Sequence, residues 1–197
     1  MRHWLAEPFV TLMPALIAGV LNMVWVRLPL AKRWSKPLDG GRLWKDGRPW
    51  FGPNKTYKGL VGMIALAALC SLAWGWLCQA SPGLAASHRV YQHFGSSPGV
   101  SLWFGTALGV AYALFELPNS FLKRRLGVAP GRPATGPSKY LLIALDQCDS
   151  IIGMVLVAWL PARLTPLEAL WWVVLGGATH LVLNGALYLA HLRRSPL

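Results

Sequence analysis

Two aspartates lie three residues apart in the middle of an apolar segment, residues 140–160, that is long enough to cross a membrane. A helix would place four residues of this segment on one face, at positions i, i+3, i+4 and i+7: Asp146, Asp149, Ser150 and Gly153. A carboxylate buried in hydrocarbon costs at least ~2.5 kcal/mol, so two acids in one span require compensation. Two acids and a hydroxyl on one face, with a glycine that leaves room behind them, predict a cation site.

More polar residues stand at the end of the third apolar segment. If that helix continues, four of them share a face at the same spacing: Glu116, Asn119, Ser120 and Lys123. Pro118 is expected to kink or unwind the helix, which would free carbonyl groups toward the interior. A basic cluster follows: Lys123, Arg124 and Arg125. Basic residues after a span are also an ordinary topology anchor, whereas Glu116 is a third acid inside the membrane.

Residues 52–59, directly before the second apolar segment, combine an amide, a hydroxyl and two lysines: Asn54, Lys55, Thr56 and Lys58. A Walker A phosphate loop is excluded, because Lys55 follows asparagine rather than glycine and no strand is predicted before it. Asn54 or Thr56 is suited to cap the helix that begins here, and an anion would meet the positive end of that helix. A capped helix whose lysines reach to the membrane surface explains the same residues equally well.

Five apolar segments carry or flank these residues in a chain of 197 residues. Only 13% of the residues are charged, against about 25% in soluble domains, which favours a membrane protein. Each segment approaches the ~20 residues that a bilayer core requires. The predicted spans are residues 8–28, 59–80, 100–117, 140–160 and 166–191. The sequence therefore predicts an all-α, polytopic protein with five transmembrane helices in a single domain, residues 1–197.

The distribution of basic residues predicts the orientation. Residues 27–58 hold nine lysines and arginines, residues 123–139 hold five, and two more stand near the C-terminus. Only three lie on the opposite side of the predicted spans. Because basic residues accumulate in the cytoplasm, we expect an external N-terminus, a cytoplasmic C-terminus and cytoplasmic loops at 29–58 and 118–139. Basic loops of this kind are usual in membrane proteins, so nucleic-acid binding is not indicated, and the cell membrane is the expected location.

The three acids are predicted to lie within the membrane, near its cytoplasmic side. Asp146 and Asp149 would lie ~9 and ~13 Å below the cytoplasmic end of their helix, and Glu116 approaches from the same side. Acids below basic loops form a cup that opens to the cytoplasm and is suited to a divalent cation and a polyphosphate. The acids would also be explained by pairing with arginines, or by an ion pathway in a small cation channel or transporter. The outer half of the fourth span, residues 151–160, is almost entirely apolar, which argues against an open pathway.

Three segments together resemble the CDP-archaeol synthases, small five-span relatives of the phosphatidate cytidylyltransferases: residues 52–59, 116–131 and 145–150. The wider superfamily has a Ser/Asn-x-x-Lys-Arg element, a Pro-Gly turn and an Asp-x-x-Asp element. In this chain they match Ser120 with Lys123 and Arg124, Pro130 with Gly131, and Asp146 with Asp149. Two departures stand out: no His-Gly-Gly follows the Pro-Gly turn, and Asp-Gln-Cys-Asp replaces Asp-Arg-x-Asp. Both are typical of the archaeol branch.

The resemblance implies a nucleotidyltransferase of phospholipid biosynthesis. Such an enzyme transfers CMP from CTP to a membrane lipid phosphate, with Mg²⁺ as cofactor and pyrophosphate as the second product. The lipid would be a digeranylgeranylglyceryl phosphate or a phosphatidate. Carried onto this sequence, the catalytic residues would be Asp146, Asp149, Lys123 and Glu116, with Mg²⁺ on the two aspartates. The substrate-binding residues would be Asn54, Lys55, Thr56, Lys58, Asn119, Ser120, Arg124 and Ser150.

Overall fold

A computed structural model describes residues 4–132 and 134–189, and their regular structure is helical. The helices are α1 (Ala6–Trp25), α2 (Tyr57–Ala80), α3 (Pro82–Ser87), α4 (Arg89–Phe94), α5 (Pro98–Arg125), α6 (Lys139–Trp159) and α7 (Pro166–Leu189), with a 3₁₀ turn at Lys32–Trp34. Five of these described helices, α1, α2, α5, α6 and α7, are long and apolar enough to cross a membrane. The predicted all-α class and the five spans are confirmed.

The helix of the third span extends beyond the predicted end of that span. The predicted end is residue 117, but α5 continues through Pro118 to Arg125, so that the following loop is much shorter than residues 118–139. A proline removes only one helical N–H donor, and the neighbouring helices of a bundle tolerate that loss. The final turns of α5 are therefore a rigid helical support for its polar residues. The last two residues of the predicted fifth span, 190–191, lie outside the described residues.

Small residues allow the spans to pack closely around α5. A Cβ atom on Gly105 of α5 would lie 2.6 Å from the carbonyl oxygen of Ala67 in α2. A Cβ atom on Gly153 of α6 would lie 2.6 Å from Cγ of Phe115 in α5. Close approach through small residues is typical of helix packing in membranes. The glycine behind the two aspartates thus brings α6 against α5, and with it the acids.

The apolar core fills the half of the bundle away from these acids. Leu12 of α1, Phe104 and Leu108 of α5, and Met154 of α6 are buried together, with Trp172 of α7. Helix α1 contributes to this core through residues up to Leu16. The second half of α1 packs against α2 instead, through a hydrogen bond from Nδ2 of Asn22 to the carbonyl oxygen of Gly59 (3.1 Å).

The loop between α1 and α2, residues 26–56, is organised by the carboxylate of Asp39. This side chain accepts hydrogen bonds from the backbone N–H groups of Gly41 (3.0 Å), Phe51 (3.0 Å) and Gly52 (2.9 Å). Burial alone would raise the pKa of Asp39, but the backbone hydrogen bonds outweigh it and hold the pKa below its ordinary value. Asp39 therefore fixes the path of the chain just before residues 52–59.

The same loop is fastened to the end of α5. Arg125 donates a hydrogen bond to Oδ1 of Asp46 (2.6 Å), and Arg48 donates one to the carbonyl oxygen of Arg125 (2.6 Å). The rings of Trp44 and Phe121 meet edge to face with their centroids 5.4 Å apart. These contacts place the loop over the polar end of the bundle.

A buried ion cluster closes the opposite end. The guanidinium of Arg89, only 7% exposed, donates to Glu7 (2.9 Å), to Glu168 (3.2 Å) and to the carbonyl oxygen of Ala162 (3.3 Å). Because a buried charge is tolerated only when it is paired, this cluster ties α1, α4 and α7 together. In the sequence Arg89 stands out only as a charge on that side, and its two acidic partners are not predictable from it.

Candidate active site

The two acids of α6 face α5 and are joined by one amide. Nδ2 of Asn119 donates to Oδ1 of Asp146 (3.0 Å) and to Oδ2 of Asp149 (2.8 Å). Since a single NH₂ group reaches both side chains, the carboxylates converge, as their spacing on one helix face predicts. The backbone N–H (2.6 Å) and the hydroxyl (2.9 Å) of the buried Ser150 also donate to Asp149. Both acids are thus held in place by hydrogen bonds.

A lysine completes this group. Lys123 lies one turn beyond Asn119 on α5, and its ammonium contacts Oδ1 of Asp146. The predicted common face of α5 therefore exists, because the helix continues past its proline. Ser120 is buried next to Asn119 in the chain. The structure brings Asp146, Asp149, Asn119 and Lys123 together in one group of contacts.

A second ion pair lies beside the first group. Lys55, at the end of the loop before α2, contacts Glu116 of α5. Burial alone would lower the pKa of Lys55, but Glu116, and further away Asp149 and Asp146, outweigh that effect and raise it. The ammonium therefore stays charged and belongs to the same electrostatic group as the two aspartates. Thr56 caps α2, because its hydroxyl accepts from the N–H of Gly59 (3.1 Å).

Two turns bring the remaining motif residues to the same place. Gly52 and Gly131 both have positive φ angles, +95° and +71°. A Cβ atom on Gly52 would lie 3.0 Å from Cγ of Pro130, and one on Gly131 would lie 3.3 Å from Nδ2 of Asn54. The loop before α2 thus packs on the Pro-Gly turn that follows α5. All three segments singled out in the sequence meet at this end of the bundle.

Two predicted substrate-binding residues have other contacts. Lys58 is 2% exposed, and its ammonium donates to the carbonyl oxygens of Leu28 (2.6 Å) and Val26 (3.3 Å) at the C-terminal end of α1. Arg124 is also buried and donates to the carbonyl oxygen of Val128. Both cations satisfy backbone carbonyl groups beyond a helix end, which is a structural role. That they also bind phosphate stays a prediction.

Sequence reasoning missed the residues that shape the loop, namely Asp39, Asp46 and Arg48. Their contacts join residues that are up to 79 positions apart in the sequence, and local spacing cannot predict such pairs. Local signals existed for Asp39 and Asp46, because Asp-Gly is a typical turn sequence in which the carboxylate accepts a backbone N–H two residues on.

The donor set at the two aspartates fits Mg²⁺. In residues 4–132 and 134–189, no group of three His, Cys, Asp or Glu side chains is suited to hold a metal ion. Mg²⁺, however, is usually held by one or two carboxylates together with substrate phosphates. In addition, Oδ1 of Asn119 is buried and has no hydrogen-bond partner among the described residues, so a hard oxygen donor lies next to the two carboxylates.

A five-span bundle that gathers acids, an amide and lysines at one end is a multi-pass membrane protein with a candidate active site. The model of the CarS-like CDP-archaeol synthase family matches residues 9–196. A CDP-archaeol synthase of Thermofilum pendens is 30% identical over 193 residues, 97% of this chain and 80% of that protein. One of Methanoculleus marisnigri is 34% identical over 154 residues, 75% of this chain and 81% of that protein.

The fold agrees with these sequence relationships. A solved structure described as an intramembrane enzyme for archaeal membrane lipids biosynthesis matches with a TM-score of 0.61 and 25% identity, over 91% of this chain and 94% of that one. The chain belongs to the CarS-like CDP-archaeol synthase family. It is accordingly a nucleotidyltransferase of lipid biosynthesis, as the resemblance implied.

Proposed function

We propose that the protein transfers CMP from CTP to a lipid phosphate of the digeranylgeranylglyceryl type, giving CDP-archaeol and pyrophosphate. The observation that carries this proposal is the contact group of Asp146, Asp149, Asn119 and Lys123 at one end of a membrane bundle. Family membership supplies the reaction, and this group supplies a site with the charges that the reaction requires.

The reaction brings two anions together. An oxygen of the lipid phosphate attacks the α-phosphorus of CTP, a new P–O bond forms, and the bond to the β-phosphate breaks to release pyrophosphate. The groups involved are already strongly polar, so catalysis consists mainly of positioning and charge stabilisation. In this scheme Lys123 binds the triphosphate beside Asp146, while Lys55 faces the incoming lipid phosphate.

We propose Mg²⁺ as the cofactor, with Asp146 and Asp149 as its protein ligands. When bound, Mg²⁺ would neutralise phosphate charge and stabilise the leaving pyrophosphate. Asn119 holds the two carboxylates at a fixed separation, and the Ser150 hydroxyl fixes the rotamer of Asp149. Glu116 keeps Lys55 charged and oriented toward the acids. These roles give each contact of the group a function in the same reaction.

We further propose that the N-terminus is external and that the loops around residues 45 and 132 are cytoplasmic, as the charge distribution predicts. CTP is a cytoplasmic nucleotide, so the polar end must face that side for the reaction to occur. Single cysteines introduced at Lys45 and Arg132 should react with a membrane-impermeant maleimide only after the cells are opened. Labelling of either position in intact cells would contradict this orientation.

A cation pathway through the bundle is less well supported. Ion conduction requires polar groups along the full depth of the helices. Below the acids, the structure instead places the core that contains Phe104, Leu108 and Met154. The bundle is therefore filled on that side.

The direct test is incubation of the purified protein with cytidine-labelled CTP, Mg²⁺ and a panel of ether-linked and ester-linked lipid phosphates, followed by separation of the lipid products. We expect a lipid-soluble cytidine product with at least one ether-linked acceptor. The matched control is the double variant Asp146→Asn/Asp149→Asn, purified in the same way and checked for helical content. Absence of product from folded wild-type protein with every acceptor would overturn the proposal.

A further inference from the structure

Helix α6 carries a buried amide on the side that faces α7. Gln147 lies between Asp146 and Asp149 in the chain and is only 5% exposed. At 3.6 residues per turn, its side chain leaves the helix roughly 130° away from the midpoint of the two carboxylates. Asn184 of α7, also buried, donates from Nδ2 to Oε1 of Gln147 at 2.7 Å. An amide in apolar surroundings requires such a partner, and this pair joins α6 to α7 at the level of the acids.

A second contact holds the backbone of α6 at the same level. Nδ1 of His180, one turn before Asn184 on α7, lies 3.2 Å from the carbonyl oxygen of Gln147. Because a carbonyl oxygen only accepts, Nδ1 is the donor of this hydrogen bond. The ring of His180 also meets the ring of Tyr112 in α5 edge to face, with the centroids 6.4 Å apart. His180 therefore connects α7 with both α5 and α6.

Two glycines of α7 allow this close approach. A Cβ atom on Gly176 would lie 2.6 Å from Cγ2 of Ile151, and one on Gly177 would lie 3.0 Å from Sγ of Cys148. Apolar contacts alone would hold the two helices weakly in place, because the lipid chains around them are equally apolar. A hydrogen bond, in contrast, has a preferred direction. The amide pair therefore fixes the rotation of α6 about its own axis.

This rotation decides where the carboxylates lie. Side-chain atoms lie ~5–6 Å from a helix axis, so a turn of ~10° moves them by ~1 Å. A displacement of about 1 Å in an active site can lower the rate about 10²-fold. On the other side of α6, the acids contact Asn119 and Lys123, and the proposed function gives Lys123 to the triphosphate. The contacts with α7 do not involve that lysine, so they persist when substrates bind.

We propose that Asn184 and His180 are positioning residues, which orient Asp146 and Asp149 for the reaction through Gln147. Asn184 holds the side chain of the glutamine, and His180 holds its backbone carbonyl group. This inference rests on the proposed function and adds to it a role for α7. Since α7 acts through α6, its polar residues affect turnover rather than substrate binding.

Removal of both amides separates positioning from stability. The variant Gln147→Leu/Asn184→Leu leaves neither partner buried without a hydrogen bond, so we expect it to fold about as stably as the wild type. Its kcat should nevertheless fall about tenfold or more, while the KM for CTP and the KM for the lipid phosphate change by less than about twofold. The matched control is Ala186→Leu on an exposed face of α7, which should alter none of these constants. A stable double variant with the wild-type kcat would overturn the proposal, as would a rise in either KM that accounts for the loss.

Exchange of the two amides provides the rescue. Gln147→Asn shortens one side chain, and we expect a lower kcat. Addition of Asn184→Gln restores the combined length of the pair and should return kcat to within about threefold of the wild type. A loss that the exchange does not reduce would also overturn the proposal.

Cross-linking tests the orientation of α6 without turnover. A Cβ atom on Gly153 would contact the ring of Phe115, so cysteines at these two positions lie within reach of a disulfide between α5 and α6. In a background without the three native cysteines, we expect oxidation to link them about fivefold more slowly once Gln147 and Asn184 are both leucine. An unchanged rate would overturn the inference and leave the proposed function intact. Slower cross-linking in a protein whose wild type forms no CDP-lipid would support the orienting role of α7 and contradict only the proposed function.

Discussion

Asp149 receives three hydrogen bonds, and replacing it by asparagine affects them unequally. An asparagine oxygen can still accept from the N–H and hydroxyl of Ser150. Its new NH₂ group, however, would face the NH₂ group of Asn119, which now donates to Oδ2 of Asp149 at 2.8 Å. One hydrogen bond is therefore lost, and one hard oxygen ligand for a metal is lost with it.

The lost hydrogen bond affects the stability of the protein, whereas the lost metal ligand affects its turnover. One hydrogen bond to a carboxylate is worth about 1.5–3 kcal/mol of stability, and removal of a carboxylate from the membrane interior offsets a cost of roughly 2.5–3.5 kcal/mol. We therefore expect Asp149→Asn to fold at least as stably as the wild type. Loss of a main electrostatic stabiliser lowers turnover by about 10²–10³-fold, or ~2.7–4 kcal/mol in the activation free energy. The assay is CDP-lipid formation at saturating Mg²⁺, combined with thermal unfolding of the same samples.

Asp146→Asn provides the comparison. It should lose activity to a similar degree, but it also removes the carboxylate that Lys123 contacts, so we expect it to be less stable than Asp149→Asn. Turnover of both variants near the wild-type rate would refute the assignment of the acids. Loss of activity that occurs only together with unfolding would refute the argument that burial of these charges is unfavourable.

Three further predictions concern residues outside the group of Asp146, Asp149, Asn119 and Lys123. Lys58→Met removes hydrogen bonds to carbonyl groups at the end of α1. We therefore expect the free energy of unfolding, measured by heat or denaturant, to fall by about 1–3 kcal/mol while the KM for CTP stays unchanged. A selective rise in that KM would contradict the structural role. Arg89→Met leaves two buried glutamates without their shared cation, and we expect destabilisation by about 3–5 kcal/mol, partly restored when one glutamate is also replaced by glutamine. The pKa of Asp39 in the folded protein lies below its ordinary value of 3.8. The stability that this carboxylate gives the loop is therefore complete above pH 3.8, and it is lost as the pH falls through the lower pKa of the folded protein. Amide exchange at Phe51 and Gly52 should therefore be slow near neutral pH and fast in Asp39→Asn at the same pH; equal exchange in the two proteins would contradict the role of this carboxylate.

The two-acid face was predictable because two independent principles agree on it. Helical spacing places Asp146 and Asp149 together, and the cost of burying them requires a partner across the interface. Asn119 can be that partner only if helix α5 continues past Pro118. Packing against neighbouring helices decided that question, and helix propensity, which disfavours proline, did not.

The division between Lys55 and Lys58 was not predictable. Both lysines stand at the start of the same helix, three residues apart, and their local sequence gives them equal access to an anion. Their directions are set by what packs beside α2: the end of α1 provides carbonyl groups for Lys58, and α5 provides Glu116 for Lys55. The partners of Arg89 were hidden for the same reason, because they stand 82 and 79 residues away in the sequence.

The position of the phosphorus label in the product shows whether the protein transfers CMP to the lipid. Purified protein is given Mg²⁺ and an ether-linked lipid phosphate with CTP labelled either at the α-phosphate or at the γ-phosphate. If the group around Asp146 and Asp149 carries out CMP transfer, label from the α-position enters the lipid, and label from the γ-position appears only in pyrophosphate. Label from the γ-position in the lipid, or no lipid label from either CTP, would contradict it.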